Sequence, residues 1–249
     1  SINPDTEIFD IALNPANPSI VYAVSAINTS TTDDMVLYIS TNGGLTFTTA
    51  SIPDNTYCTG ARFGISPANS NYAYCITLQN DVPKLLISTN NGTSWTTKTT
   101  FTGTGLSGSN TVNGMSNGQG FYDLDIVVSP NNINHVIVGT TTAFKSIDGG
   151  LNFNPIGGYA GNFAIHPDIQ CMTALGNDTY IATDGGVNYS PDFFTNVSTF
   201  EPRNLGLTAS DNWGFGQGWS EDIVVGGRYH NGNAALYETY GLGNSLQIG

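Results

Sequence analysis

The residues best suited to chemistry lie at a repeated position, five residues ahead of a proline that closes a short apolar segment. The four residues at this position are Asp10, Arg62, Asp125 and Asn162. Two carboxylates that face one another could act as general acid and base in glycoside hydrolysis, which makes Asp10 and Asp125 the candidate catalytic residues. Carboxylate oxygens could instead bind Ca²⁺. The same side chains could also only solvate a polar channel, with Arg62 balancing one aspartate. No other cofactor or metal is assigned.

Further polar residues extend this candidate ligand-binding site. Tyr122 and Asp123 precede Asp125 in an expected loop at the channel mouth, and His166 directly precedes a proline in a second polar ring. A second, Gly-rich cluster near the C-terminus contains Trp213, Gln217, Arg228 and His230. Such aromatic and polar groups suit sugar stacking and hydroxyl recognition. The tryptophans could equally fill a strand core beside glycines that let strands approach closely.

The composition narrows the functional classes. The chain has 249 residues, six Lys and Arg against nineteen Asp and Glu, and a formal net charge of −13. Phosphate binding needs clustered Lys and Arg, so we expect no nucleic-acid partner and no binding to an anionic membrane. No apolar run is long enough to predict a membrane span. Low charge and abundant Thr, Asn, Ser and Gly favour a trimmed protein that is secreted or displayed at the cell surface.

The three cysteines have no metal-binding spacing. Cys58 and Cys75 are close enough in sequence to form a disulfide, and they could equally be buried free thiols. Cys171 stays unpaired under either interpretation.

Two repeated phrases define the elements that must position the candidate site. The first reads apolar-x-apolar-x-Pro before a second apolar run, with prolines at positions 15, 67, 130 and 167, spaced by 52, 63 and 37 residues. Alternation with a period of two predicts a strand. Its polar face would line a channel and its apolar face would pack against neighbouring strands. The four residues of the repeated position therefore belong on equivalent inner strands.

The second phrase reads Ser-x-Asx-x-Gly-x-polar-aromatic. It predicts a tight hairpin, because an Asx side chain can accept backbone amides and glycine can adopt a positive φ. Its copies comprise Ser40, Asn42, Gly44 and Phe47; Ser88, Asn90, Gly92 and Trp95; Ser146, Asp148, Gly150 and Phe153; and Asp184, Gly186 and Tyr189. The fourth copy has alanine in place of the serine. We expect all of these residues to be structural.

Together the phrases predict an all-β fold, a β-propeller of four-stranded antiparallel blades. The predicted blades are approximately residues 8–52, 60–101, 121–156, 161–200 and 212–249. Five units favour part of a larger propeller, so we expect the chain to continue into further domains of a longer polypeptide. A complete five-bladed ring is the alternative.

The second phrase resembles the Asp-box, or BNR, repeat of sialidases, sortilin-type receptors and xyloglucanase-type glycoside hydrolases. The Asn-Pro-x-Asn-Pro-x-x-Val-Tyr phrase at 14–22 is most similar to the xyloglucanase and sortilin-type group. Segments 118–125, 182–187 and 214–232 resemble large secreted proteins of Bacteroidetes-type bacteria, which are exported by type IX secretion. The resemblance implies a propeller whose box is a structural hairpin and not a catalytic site.

Different functions remain open, because propellers of this kind do many jobs. The first is a non-enzymatic recognition and scaffold module that binds a protein or a glycan such as a polysaccharide. The alternative is a fragment of a xyloglucanase-type hydrolase that uses Asp10 and Asp125. Pairing of Asp125 with Arg62 would count against catalysis. An intracellular assembly factor of the BNR type is a third class, and a sialidase is disfavoured because the chain has only three arginines.

Overall fold

The computed structural model describes residues 6–28, 33–79, 82–101, 119–120, 122–205, 212–228, 233–241, 244 and 246–248. In this part of the chain the strands form five four-stranded antiparallel sheets, each built from four consecutive strands. The helices described are two three-residue 3₁₀ turns, Val197–Thr199 and Glu238–Tyr240. No described helix is long and apolar enough to cross a membrane. The predicted all-β class is confirmed.

Four sheets lie in one compact unit, residues 1–204. The first sheet contains β1 (Thr6–Leu13), β2 (Val21–Asn28), β3 (Asp33–Ser40) and β4 (Thr48–Thr49). The second contains β5 (Cys58–Ile65), β6 (Ala73–Gln79), β7 (Val82–Ser88) and β8 (Thr96–Thr100). The third contains β9 (Asp125–Val128), β10 (Val136–Gly139), β11 (Ala143–Ser146) and β12 (Asn154–Gly157). The fourth contains β13 (Ile169–Leu175), β14 (Asp178–Thr183), β15 (Gly186–Ser190) and β16 (Glu201–Pro202).

Three hydrophobic clusters lie between successive sheets of this unit. Each cluster is represented by a pair of buried side chains from adjacent sheets: Tyr22 with Phe63, Tyr74 with Ile126, and Ile137 with Ile181. The second and third sheets are therefore covered on both faces. Every residue of β6, β10 and β11 is buried as a result. Burial on both faces explains why these strands carry apolar runs in place of a simple alternation.

The first strands of the four sheets lie side by side, in the order β1, β5, β9 and β13. Gly64 allows β5 and β9 to approach closely, because a Cβ at this position would lie 2.8 Å from Cγ2 of Val128. These inner strands hold the first candidate site.

The fourth sheet differs from the prediction, because its first strand begins after the fourth proline. The sequence analysis placed the inner strand at 163–167, but these residues lie outside any strand and β13 follows them. Phe163 and Ile165 are buried between the third and fourth sheets. The Phe163 amide donates to the Ile156 carbonyl at 2.9 Å, and the Gly158 amide donates to the Ile165 carbonyl at 3.1 Å. The alternation therefore reflects a connector that runs along the edge of the third sheet.

The fifth sheet belongs to a second unit, residues 205–249. It contains β17 (Asn212–Gln217), β18 (Ile223–Arg228), β19 (Asn233–Tyr237) and β20 (Leu246–Ile248). The blade boundaries drawn from the sequence stay a prediction for both units.

Candidate functional site

Three of the four residues assigned to the repeated position lie at equivalent places on inner strands. Asp10 lies in β1, Arg62 in β5 and Asp125 in β9. Each lies opposite the fourth residue of the second strand of its sheet: Val24 in β2, Ile76 in β6 and Gly139 in β10, respectively.

Asp10 connects the first sheet to the second. Its Oδ2 accepts a hydrogen bond from the backbone amide of Phe63 in β5 at 2.8 Å, and its Oδ1 accepts from the amide of Ile11 at 2.8 Å. Burial raises the pKa of Asp10, although the two amides and the charge of Arg62 oppose this effect. Both carboxylate oxygens are therefore engaged by the backbone.

Asp125 repeats this arrangement between the third and fourth sheets. Its Oδ2 accepts a hydrogen bond from the backbone amide of Met172 in β13. Burial raises the pKa of Asp125 to about 6, and the amides of Ile126 and Met172 and the charge of Arg62 lower it in part. A carboxyl group with this pKa carries a proton in an appreciable fraction of molecules near neutral pH.

Cys171, and not Asn162, occupies the matching place on β13. Met172 follows Cys171 as Phe63 follows Arg62. Both Met172 and Phe63 donate their amides to an aspartate in the first strand of the preceding sheet. Partial burial and the nearby Asp125 raise the pKa of the Cys171 thiol, whereas Arg62 lowers it. The predicted placement of Asn162 on an inner strand was wrong because its segment is the connector along the third sheet, and its ligand-binding role stays a prediction. The sequence analysis missed Cys171 because the pairing of β13 contains a bulge and because β13 lacks the proline-ended phrase.

Arg62 lies close to both aspartates without forming an ion pair with either. Its Nη1 donates to the carbonyls of Phe9 at 2.8 Å and Ala61 at 2.9 Å. The ion pairs within the described residues join other side chains, Lys84 to Asp54 and Arg203 to Glu201. The pairing of Arg62 with Asp125 that would count against catalysis is therefore absent from the described part of the chain.

Arg62 lines a small polar cavity at one end of the inner strands. The cavity has a volume of about 200 Å³ and is lined by Glu7, Ile8, Phe9, Thr59, Gly60, Arg62, Gly120 and Leu124. The hydroxyl of Thr59 is buried and has no hydrogen-bond partner. A buried polar atom without a partner is costly, so this hydroxyl marks a place where a ligand atom could bind. We call this space the Arg62 cavity.

Two further cavities differ from it in character. One of about 290 Å³ follows β5, β9 and β13 and is lined mainly by apolar residues from Phe63 to Leu175. Another of about 300 Å³ lies by the third and fourth sheets and includes Asn162, Lys145 and Phe194. Asn162 is thereby separated from the site to which the sequence assigned it.

The other polar residues predicted near the channel mouth take different roles. Tyr122 is 44% exposed, and its hydroxyl donates to Oε1 of Gln119 at 3.0 Å. Asp123 is fully buried, and neither of its carboxylate oxygens has a hydrogen-bond partner among the described residues. Nδ1 of His166 lies 3.0 Å from the carbonyl of Pro167, so the imidazole is oriented by its own segment.

Three predicted hairpins share one hydrogen-bond pattern, which we call the Ser–Asx hairpin. The Ser40 hydroxyl donates to Asn42 at 2.8 Å and accepts the Gly44 amide at 2.9 Å. Ser88 with Asn90 and Gly92, and Ser146 with Asp148 and Gly150, repeat these bonds at 2.8–2.9 Å. The aromatic residue that follows, Phe47, Trp95 or Phe153, directly precedes the last strand of its sheet.

The fourth Ser–Asx hairpin is not at the predicted position. Asp184 lies in the turn between β14 and β15, Gly186 is the first residue of β15 and Tyr189 lies within it. Asp184 accepts a hydrogen bond from Gln170 at 3.0 Å. The actual hairpin follows β15. Its Ser190 hydroxyl donates to Asp192 at 2.7 Å and accepts the Phe194 amide at 2.8 Å.

Phenylalanines in this fourth hairpin hid it from the sequence analysis. Phe193 and Phe194 have positive φ of 58° and 52°, where the first and third hairpins have paired glycines. Lys145 is buried and its Nζ donates to both phenylalanine carbonyls, at 2.7 and 3.2 Å. Lys145 therefore supports a backbone conformation that these side chains would not otherwise favour. The spacing Ser190-x-Asp192 was the sequence signal available for it.

The second candidate cluster is only partly described. Gln217 ends β17 and is exposed, Trp213 lies in β17 and Arg228 in β18. His230 lies outside the described residues. Trp219 is fully exposed in the described part of this unit. A sugar-binding role for this cluster stays a prediction.

The metal and thiol chemistry of the described residues is limited. No group of three or more His, Cys, Asp or Glu side chains is placed there to hold a metal ion. Cys58 and Cys75 are buried free thiols, and Cys171 is an exposed free thiol. Burial raises the pKa of Cys58 to about 11, which keeps this thiol protonated and poorly reactive.

Comparison with known proteins supports a propeller-type fold. No family model matches the chain, and no curated protein matches it. The chain is similar to a GH74 xyloglucanase from Xanthomonas campestris, with 14% sequence identity, a TM-score of 0.58, and coverage of 97% of this chain and 38% of that chain.

It is also similar to YCF48 bound to a D1 peptide, with 13% identity, a TM-score of 0.49, and coverage of 99% of this chain and 74% of that chain. The GH74 enzyme of Niastella koreensis has 16% identity, a TM-score of 0.45, and coverage of 98% and 38%. The chain thus spans little more than a third of each GH74 enzyme. The protein is an all-β protein with a propeller-type fold.

Proposed function

We propose that this chain is a non-enzymatic recognition and scaffold module that binds a protein or a glycan at the Arg62 cavity. The observation that carries the proposal is the engagement of both candidate catalytic aspartates by backbone amides of another sheet. Phe63 donates to Asp10, and Met172 donates to Asp125. Each hydrogen bond orients its carboxylate toward a backbone donor of the next sheet. These side chains are suited to holding sheets together.

The Arg62 cavity supplies what an extended polar ligand needs. It contains a guanidinium, the carboxylate side chain of Glu7, the unpartnered hydroxyl of Thr59 and the backbone of Gly60 and Gly120. A few polar groups at fixed positions provide orientation and specificity in binding sites. Peptide carbonyls can accept hydrogen bonds there, and sugar hydroxyls can both donate and accept them.

A single experiment on Thr59 and Arg62 tests this function. Xyloglucan oligosaccharides, other polysaccharide fragments and extended peptides are screened against the immobilised chain, and the dissociation constant of the best probe is measured for variants. Thr59→Val keeps the side-chain shape and removes one hydrogen bond, so we expect binding to weaken up to about tenfold. Arg62→Gln should weaken it as well, and Thr96→Val on an exposed strand should not.

The unfolding temperature of each variant shows whether weaker binding results from a lost contact or from a loss of folding. The Thr59 hydroxyl has no partner, so Thr59→Val should leave the unfolding temperature unchanged or raise it. Failure of every probe to bind, or binding that both variants leave intact, would refute the proposed site.

The alternative function is glycoside hydrolysis by a fragment of xyloglucanase type. The raised pKa of Asp125, about 6, favours it, because general acids work best with a pKa near the working pH. The alternative requires Asp125 to reach a substrate with Oδ1 while Oδ2 stays bound to Met172.

We further propose that the chain belongs to the BNR group, with the Ser–Asx hairpins as its Asp-boxes, and that it is part of a longer protein. Low charge and the Thr- and Asn-rich composition support a secreted or cell-surface location. The resemblance of three segments to Bacteroidetes-type proteins supports export by type IX secretion. Mass spectrometry of the native protein, with peptides sought beyond Gly249, tests the longer chain.

A further inference from the structure

The inner strands of the first two sheets are joined by two side chains of opposite charge that bind the backbone in the same way. Asp10 accepts the amide that follows it and the amide of Phe63, the residue after Arg62. Arg62 donates through Nη1 to the carbonyls of Phe9 and Ala61, which directly precede these two side chains. A carboxylate therefore takes the two amides and a guanidinium takes the two carbonyls.

The described residues of the third and fourth sheets contain only the acidic half of this arrangement. Asp125 accepts the amide that follows it and the amide of Met172, the residue after Cys171. The two matching carbonyls are those of Leu124 and Gln170, each one residue earlier. Cys171 is an exposed free thiol, and a thiol is a single weak donor. It cannot take the part of a guanidinium.

The carbonyls of Leu124 and Gln170 are suitable acceptors for a bound donor. Leu124 precedes β9, and a bulge in the pairing of β13 with β14 passes over Gln170, so neither is matched to a residue of a neighbouring strand. Within the described residues, neither carbonyl accepts a backbone hydrogen bond from a loop or turn, and no lysine or arginine side chain donates to it. Backbone carbonyls normally have a partner.

The charges on the inner strands favour a cation at this place. The charge of Arg62 acts on both Asp10 and Asp125, and that of Asp125 acts on the Cys171 thiol. Two carboxylates thus share one guanidinium, and β13 contains no lysine or arginine. Burial raises the pKa of Asp125 to about 6, and a second cation beside it would favour its charged form.

We propose that an arginine side chain of a peptide partner binds beside Cys171, between the third and fourth sheets. Its guanidinium would donate to the carbonyls of Leu124 and Gln170 and face Asp125. A guanidinium fits better than an ammonium group, because its planar fork can reach two carbonyls at once. A neutral glycan offers no cation to balance the carboxylate. Leu124 also lines the Arg62 cavity, but the inference does not rest on binding there, because the Thr59 hydroxyl takes no part.

A peptide titration of the wild-type chain tests the proposal without any substitution. The probe is a blocked Gly-Arg-Gly tripeptide, and its dissociation constant is measured from chemical shifts of the whole chain. We expect a value of roughly 5 mM or below. The same peptide with citrulline in place of arginine keeps the shape and loses the charge, so it should bind at least about tenfold more weakly. Equal affinity of the two peptides, or no binding of the arginine peptide, would overturn the proposal.

Cys171→Arg gives an independent test, because it supplies a guanidinium from β13 itself. It should weaken binding of the arginine peptide at least about tenfold and raise the unfolding temperature by roughly 2–4 °C. Leu175→Arg is the matched control, because Leu175 lies on the same strand and is 82% exposed. It should leave both values nearly unchanged. Undiminished peptide affinity in a folded Cys171→Arg variant would also contradict the proposed site.

Discussion

Oδ2 of Asp10 accepts the backbone amide of Phe63 at 2.8 Å, although Phe63 lies 53 residues later and in the next sheet. Asp125 accepts the amide of Met172, 47 residues later, in the same way. A side chain from one sheet thus satisfies a backbone donor of another sheet. This repeated contact assigns a structural role to the two residues whose chemistry was most suggestive in the sequence.

Removal of the Asp10 carboxylate should destabilise the chain. Asp10→Ala leaves the Phe63 amide without its partner, and we expect a loss of about 1–3 kcal/mol in the free energy of unfolding. Asp10→Asn keeps an acceptor oxygen and should cost less than the alanine variant. Urea denaturation measures both values. Equal stability of wild type and Asp10→Ala would show that the contact does not hold the sheets.

Stability should depend on the protonation of Asp125. Its pKa is about 6 in the folded chain and 3.8 as an ordinary value, so the folded state binds the proton more tightly. The resulting stabilisation is complete below about pH 4 and is lost as pH rises through 6. The free energy of unfolding should fall by roughly 2–3 kcal/mol over this range on account of Asp125.

Asp125→Asn isolates this contribution. The asparagine cannot titrate, so its free energy of unfolding should fall less between pH 4 and 7 than that of the wild type. Urea denaturation in a series of buffers gives the difference between the two slopes. Parallel pH profiles would mean that the carboxyl group of Asp125 has its ordinary pKa in the folded chain.

The sequence was sufficient to predict the all-β class and the strands that hold Asp10, Arg62 and Asp125, because strand alternation and the proline-ended phrase are local signals. It failed at Asn162, whose apolar neighbours are buried for a different reason: they pack between two sheets as a connector. Burial produces the same alternation whether or not the segment pairs as a strand. Cys171 carried no local signal at all.

The fourth Ser–Asx hairpin gives a direct comparison of the predicted and observed positions. Asp192 accepts backbone amides from Thr195 at 3.0 Å and Asn196 at 3.1 Å. Asp192→Ala should therefore cost about 1–2 kcal/mol, as loss of a capping residue does. Asp184→Ala, at the predicted position, should cost less. Urea denaturation of the two variants decides between the positions, and a larger loss for Asp184→Ala would contradict the structure.

The wrong predicted position of the fourth Ser–Asx hairpin also has a physical cause. The Gly-Gly pair at Gly185 and Gly186 marks a tight turn, but here the turn joins the second and third strands of its sheet. The true hairpin lacks glycine because Lys145 binds the carbonyls of Phe193 and Phe194 from a distant strand. A contact across nearly 50 residues is invisible to a local pattern.

The hairpin of the second sheet also packs against the first sheet. Alanine substitutions at two equivalent glycines, Gly92 and Gly44, test this contact. A Cβ at Gly92 would lie 2.5 Å from the ring of Tyr22, whereas a Cβ at Gly44 would meet only Phe47 at 3.9 Å. Both glycines have a positive φ, of 81° and 87°, so both alanine variants bear backbone strain.

Gly92→Ala should consequently be less stable than Gly44→Ala by about 1–3 kcal/mol, the usual cost of overpacking. Thermal or urea unfolding measures the difference. Equal losses would indicate that strain alone acts and that the hairpin of the second sheet does not contact Tyr22.

The most direct test of the structural role of Asp10 and Asp125 is an assay for the release of reducing ends from xyloglucan between pH 4 and 8. We predict no release by the wild-type chain, and no difference between it and the variants Asp10→Asn and Asp125→Asn. Release by the wild type that either asparagine variant abolishes, while the variant remains folded, would contradict this role and identify the aspartates as catalytic.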